Sequence, residues 1–177
     1  MIVAEPSSVV SADLRLARQY DHTAKEEEVR LKRRPKIFFT REESEHLLEL
    51  RSKAAEIYAM AGDDRDAAYN FSRAAGHASM LHDMDRSLRY RREAIRCFDE
   101  CGLREEAIPD LAFYAERLIR EAVKTPPSEA LLKEGAEILT EARKRLHSSR
   151  RGQCEKVYYS IENSSRMLKQ NGIEISI

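Results

Sequence analysis

Between Arg51 and Leu118, small and aromatic residues return every twenty positions. Ala54 and Ala55 are followed by Ala74 and Ala75 and then by Ala94; Tyr58 by Ala78, Phe98 and Leu118; Gly62 by His82 and Gly102; Ala67 and Ala68 by Ser87 and Leu88, then Ala107 and Ile108. Two such stretches make a unit of about forty residues, the span of a helical repeat, which cannot bury its apolar face alone and must stack on neighbours. The pattern predicts an all-α fold, a right-handed α-solenoid of antiparallel helical hairpins with about seven helices.

Residues 1–10 read as a flexible N-terminus. A first helix is expected from Ser11 to about Arg33, with Leu14, Ala17, Tyr20 and Ala24 at helical spacing; its last third is mostly charge, and Pro35 ends it. Thr40 and Glu43 form a capping box that opens a second helix, whose Leu47, Leu50, Ala54, Tyr58 and Ala61 share one face. Gly62 supplies a left-handed stop and Asp63 the next start. The third helix carries Ala67, Ala68, Phe71, Ala74, Ala75 and Ala78, and the fourth, from about Asp85 to Cys101, holds Leu88, Ile95 and Phe98. Pro109 would clash inside a helix begun at Arg104, so the fifth is expected to start near Glu106 and to reach about Lys124. After the break at Thr125 to Ser128 come a sixth helix, carrying Leu131, Leu132, Ile138, Leu139, Ala142 and Leu146, and a seventh, carrying Cys154, Val157, Tyr158, Ile161 and Leu168. The expected organisation is repeats over 11–124, a C-terminal helical hairpin of the same domain over 125–172, and an apolar tail at 173–177.

Composition narrows the function. Lys and Arg (31) balance Asp and Glu (31), so no whole-molecule field draws the chain to nucleic acid. The five histidines fall in no HExxH spacing, and no glycine-rich phosphate loop or GxSxG elbow occurs, so the reading is of a non-enzyme without cofactor or metal. Cys97 and Cys101 sit one turn apart, where a metal site with His77 or His82 is conceivable, yet free Cys is a common core residue and the core reading is preferred. No apolar run approaches membrane-span length, and Met1 to Val10 carries Glu5 and Pro6 without a basic start, so a cytoplasmic protein is expected, with any membrane association peripheral.

Two stretches suggest contact surfaces. In the loop at 33–39, the cations Arg33, Arg34 and Lys36 abut Ile37, Phe38 and Phe39, a combination suited to anionic headgroups and the acyl boundary. The alternative is that the apolar residues staple onto the second helix, although the staple position there is Ser44, which is polar. On the fourth helix Arg86, Arg89, Arg92 and Arg96 form a basic stripe uninterrupted by acid, able to grip an acidic helical partner; a solvated face paired to Glu93 or Asp85 is the alternative.

The run from Ala54 to Asp63 (AAEIYAMAGD) and that from Ala67 to Ala75 (AAYNFSRAA), preceded by a helix and the Phe38-Phe39 loop, resemble the N-terminal half of the soluble NSF attachment proteins over roughly Asp13 to Glu121. The resemblance implies tetratricopeptide-like hairpins that bind SNARE-type helical bundles, with membrane attachment falling on Phe38 and Phe39 and the acidic bundle meeting basic residues such as Arg89 and Arg92. The chain is shorter than that family's members, and the acidic, leucine-ending tail that engages the NSF ATPase has no counterpart in Asn171 to Ile177, so recruitment of such an ATPase is doubtful. The alternative is a generic tetratricopeptide-type interaction scaffold unrelated to fusion.

Overall fold

The computed structural model describes residues 7–33, 39–124, 127–149 and 155–173, with side chains from residue 13 onward. Among the described residues the fold is all-α, without strands: α1 (Ser7–Lys32), α2 (Arg41–Met60), α3 (Asp64–Met80), α4 (Met84–Glu100), α5 (Ile108–Ala122), α6 (Glu129–Ser148) and α7 (Glu155–Gln170). They form two compact units, Met1–Cys101 and Gly102–Ile177.

In the first unit α1 packs on α2, α2 on α3 and α3 on α4. The α2–α3 joint shows why the twenty-residue period recurs. Gly62 turns left-handed (φ 76°), its N–H bonds the Ala59 carbonyl at 3.1 Å, and the Asp63 N–H reaches the Tyr58 carbonyl at 2.9 Å. This pair of reverse bonds satisfies carbonyls the helix end would orphan. The Asp63 side chain then accepts from the Asp66 N–H at 3.3 Å and caps α3. The next joint repeats the device with His82 at φ 58°, Asp83 N–H on the Ala78 carbonyl (2.9 Å) and the Asp83 side chain on the Arg86 N–H (2.9 Å). One aspartate thus ends one helix and begins the next.

The repeated columns are the core. Ala54, Ala55, Ala74, Ala75 and Ala94 are fully buried, and Tyr58, Ala78 and Phe98 fill the adjoining column. Small residues let the helices approach and rings close the remaining space: Phe71 stacks on Tyr90 at 6.0 Å and Tyr69 meets Phe98 edge-on at 5.1 Å.

At the third joint Gly102 is again left-handed (φ 76°), but Leu103 stands where Asp63 and Asp83 stood and has no oxygen with which to cap. Residues 103–107 run as turns, and α5 begins at Ile108 rather than near Glu106. Pro109 falls in its first turn, where a fixed φ suits the helix and a missing N–H costs nothing. In this second unit α5 packs on both α6 and α7. Gly135 of α6 lies so close to α5 that a β-carbon there would stand 2.7 Å from Ile119 Cγ1. α1 starts at Ser7 instead of Ser11, making 7–10 helical; Ser7 to Val10 contain neither proline nor glycine to stop a helix.

Candidate functional site

The basic stripe lies on the outer side of α4, opposite the buried Ser87, Tyr90, Arg91, Ala94, Cys97 and Phe98. The idea that nothing acidic interrupts it is corrected by the structure. Arg86 bonds Glu45 of α2 at 2.9 Å and Asp83 at 2.7 Å, and the hydrogen bonds to Glu45 and then Asp83 hold its guanidinium above its usual pKa. Arg96 pairs with Glu100 at 2.5 Å and Glu93 at 3.0 Å, with a rise caused in that same order. Arg89 lies over the Tyr90 ring, 4.7 Å from its centroid, and both Arg89 and Arg92 are exposed. Arg89 also donates to the Tyr90 hydroxyl at 2.9 Å, so the stripe is a set of engaged, outward-facing cations.

Of the loop residues, Arg34, Lys36, Ile37 and Phe38 lie outside the described residues. Arg33 is exposed and shares a shallow cleft on α1 with Lys25, Glu26, Val29 and Arg30, where Val29 is 47 % exposed. Phe39 is half-buried against a cluster of Ala24, Leu31, Leu47 and Leu50, and its ring centroid is 5.8 Å from that of His77. It thus meets α1, α2 and α3 without using the staple position at Ser44.

Beneath Phe39 is a constellation that sequence reasoning missed. Among the described side chains of α1 the buried ones are Ala17, Asp21, Ala24, Glu28 and Leu31, alternating in steps of four and three so that two carboxylates sit on the apolar face. Arg51 of α2 meets both: Nε and Nη2 donate to Glu28 Oε1 at 3.0 and 2.9 Å, and Nη1 donates to Asp21 Oδ1 at 2.6 Å and to Asn70 Oδ1 at 2.9 Å. Lys25 reaches the other Asp21 oxygen at 2.6 Å from the solvent side. His77 Nε2 stands 3.3 Å from Glu28 Oε1. Burial alone would push the Glu28 carboxyl up, but the His77 hydrogen bond and the Arg51 charge outweigh it and hold it at about 2. An ionised carboxylate only accepts, which places the His77 proton on Nε2. His77 Nδ1 then has no hydrogen-bond partner among the described residues.

Glu28 lies in the charged last third of α1, yet it is buried. The signal was nevertheless present: Asp21 and Glu28, and likewise Asn70 and His77, are seven positions apart where the helical period calls for apolar residues. Such networks chiefly fix which face of a helix docks and in what register, as removal from water offsets much of the attraction.

Cys97 is buried on α4 and Cys101 half-buried at its end. Burial pushes the Cys97 thiol up to about 11, and the Cys101 thiol donates to the Phe98 carbonyl at 3.5 Å. His82 is exposed at its turn and His77 is engaged with Glu28, so neither completes a site with them. Asp64, Cys97 and Glu100 bring one ligand atom each within 4.8 Å, with Glu100 also paired to Arg96. No helix among the described residues is long and apolar enough to cross a membrane.

No family model, no curated protein and no solved structure matches this chain.

Proposed function

We propose that the chain is a non-enzymatic adaptor, in which the repeat of the first unit is a right-handed solenoid of antiparallel helical hairpins presenting surfaces to other macromolecules. The favoured partner is an acidic helical bundle of SNARE type, met by Arg89 and Arg92, with residues 33–39 touching an anionic membrane. The observation that carries the reading is the twenty-residue period itself. It falls on buried alanine and aromatic columns and on left-handed joints at 62, 82 and 102, the construction of repeat arrays whose function is display. Support for the membrane contact comes from the cleft where Arg33 and Arg30 flank exposed Val29, since cations near an anionic surface each contribute about 1 kcal/mol.

Two assays test the two halves. Capture on an immobilised acidic four-helix bundle should be lost with Arg89→Glu and Arg92→Glu while the far-ultraviolet circular dichroism is unchanged; undiminished capture would remove the two arginines as the contact, and no capture of the unaltered chain would remove the bundle as partner. Flotation with phosphatidylserine liposomes should be lost with Ile37→Ser and Phe38→Ser, a pair that leaves Phe39 on its cluster. A chain that never floats returns the reading to a peptide-binding scaffold indifferent to lipid.

A further inference from the structure

Among the described side chains, the apolar residues that α1 buries are Ala17, Ala24 and Leu31, whereas α2 buries Leu47, Leu48, Leu50, Ala54, Ala55 and Tyr58. Of those described, two methyl groups, one isobutyl group and the partly buried Tyr20 ring make the apolar seam, smaller than the one α2 carries. What holds α1 besides is Asp21 and Glu28 on Arg51, an arrangement strong in specifying register and weak in net attraction. When α1 lifts, Arg51 and both carboxylates regain water, so opening here costs less than uncovering an apolar groove of equal size. The helices left behind keep their own aromatic packing and both aspartate joints.

The surface under α1 is thus a groove with its own chemistry: Arg51 as a forked donor, Asn70 beside it, His77 at one end, and Leu47 and Leu50 along the floor. α1 does not use everything it offers, because buried His77 Nδ1 stays unpartnered. A helix bringing a donor to that nitrogen gains a bond α1 does not make.

We propose that α1 is a displaceable helix lying in a binding groove, and that the groove takes a helix of another protein bearing two carboxylates seven positions apart with small residues between them. Arg favours such carboxylates by its planar fork, and small neighbours permit the close approach that Ala17 and Ala24 now make. α1 is then an intramolecular competitor, and the apparent affinity for a partner is reduced by the fraction of chains whose α1 is closed. The inference does not involve Arg89 or Arg92 and stands or falls apart from the α4 surface.

The test uses the full chain, its Leu31→Ala variant, and a fluorescent peptide of residues 13–33 as the probe. Hydrogen exchange on the unaltered chain should show α1 amides opening at denaturant concentrations where those of α2 to α4 remain protected. The peptide should bind the Leu31→Ala chain at least about tenfold tighter than the unaltered one. A peptide with Asp21→Asn and Glu28→Gln should lose that binding. The proposal is overturned if α1 exchanges only with global unfolding, or if a Leu31→Ala chain with rapidly exchanging α1 ignores the peptide. It also falls if that variant dimerises and excludes the peptide, for the occupant is then a second copy. Should Leu31→Ala lose its helical circular dichroism, exchange on the unaltered chain decides alone.

Discussion

The two units solve the same packing problem with different means. In the first, helices follow one another through joints where a left-handed residue and an aspartate do double service, and alanine columns bring the helices together. A charged network is sealed beneath α1. In the second, the joint loses its aspartate to Leu103, α5 starts late, and close approach is achieved at a single glycine, Gly135 against Ile119. Polar links there join helices singly, such as the Ser160 hydroxyl of α7 on Glu116 of α5 at 2.5 Å and the Tyr114 hydroxyl of α5 on Glu134 of α6 at 3.1 Å. Periodic construction distributes stability over many equivalent small contacts, and where the period lapses single residues become critical. Each unit should therefore fail at a different kind of position.

The largest effect is expected at Arg51. Arg51→Met leaves buried Glu28 without its cation and Asp21 with Lys25 alone, and should cost the first unit about 3–5 kcal/mol, read from urea unfolding, with amide protection in the second unit unchanged. Adding Asp21→Leu and Glu28→Leu should recover most of the loss, because the fault is the uncompensated charge and not the missing bonds. The pH profile follows from Glu28, whose pKa is lowered from 4.5 to about 2 in the fold. A carboxyl depressed in the native state stabilises it fully above the unfolded value, and the contribution, about 3 kcal/mol, is lost as pH falls from 4.5 towards 2. A Glu28→Gln chain should show a flatter acid limb in thermal melts over that window, and an unchanged slope would mean that Glu28 is not the group responsible.

Next in size is the contrast between two helix-interior glycines, one in each unit. Gly135→Ala puts a methyl 2.7 Å from Ile119 Cγ1, close to the backbone of α5 where little can give, and should destabilise the second unit by about 1–3 kcal/mol. Gly76 has open space within 4 Å of where its β-carbon would be, so Gly76→Ala should stabilise the first unit by about 0.5–1 kcal/mol through helix propensity alone. Differential scanning calorimetry reads both, and equal signs would show that the close approach of α5 and α6 is not what Gly135 serves.

The repeat was legible because its signal is redundant. Ala54, Ala74 and Ala94 each say little, but three of them with Tyr58, Ala78 and Phe98 leave few ways to arrange helices, and these columns are the buried ones. The capping box at Thr40 and the glycine stops were legible for the same local reason, since a helix end is decided by the few residues around it. Legibility ended where the determinant was distant. Glu28 follows Glu26 and Glu27 in a charged run; its seven-residue spacing from Asp21 marks the buried face, but its partner Arg51 lies 23 positions on, beyond any local pattern. The arginine stripe misled in the same way, for Arg86 finds Glu45 across 41 positions that no helical spacing could connect.

The smallest effects concern the joints, and they sharpen the comparison most, because Gly62 and His82 occupy equivalent places with different residues. A side chain in the left-handed region crowds its own backbone, so His82 at φ 58° carries strain that Gly62 at φ 76° does not. His82→Gly should therefore stabilise the first unit by about 0.5–1 kcal/mol after the greater freedom of glycine in the unfolded chain is subtracted. Gly62→Ala should cost about 1 kcal/mol, although a β-carbon there meets nothing within 4 Å, since the penalty is conformational and not steric with neighbours. The reciprocal pair is the decisive measurement. If His82→Gly is neutral while Gly62→Ala destabilises, the exposed imidazole contributes something glycine cannot, and the joints are not interchangeable parts of one repeat.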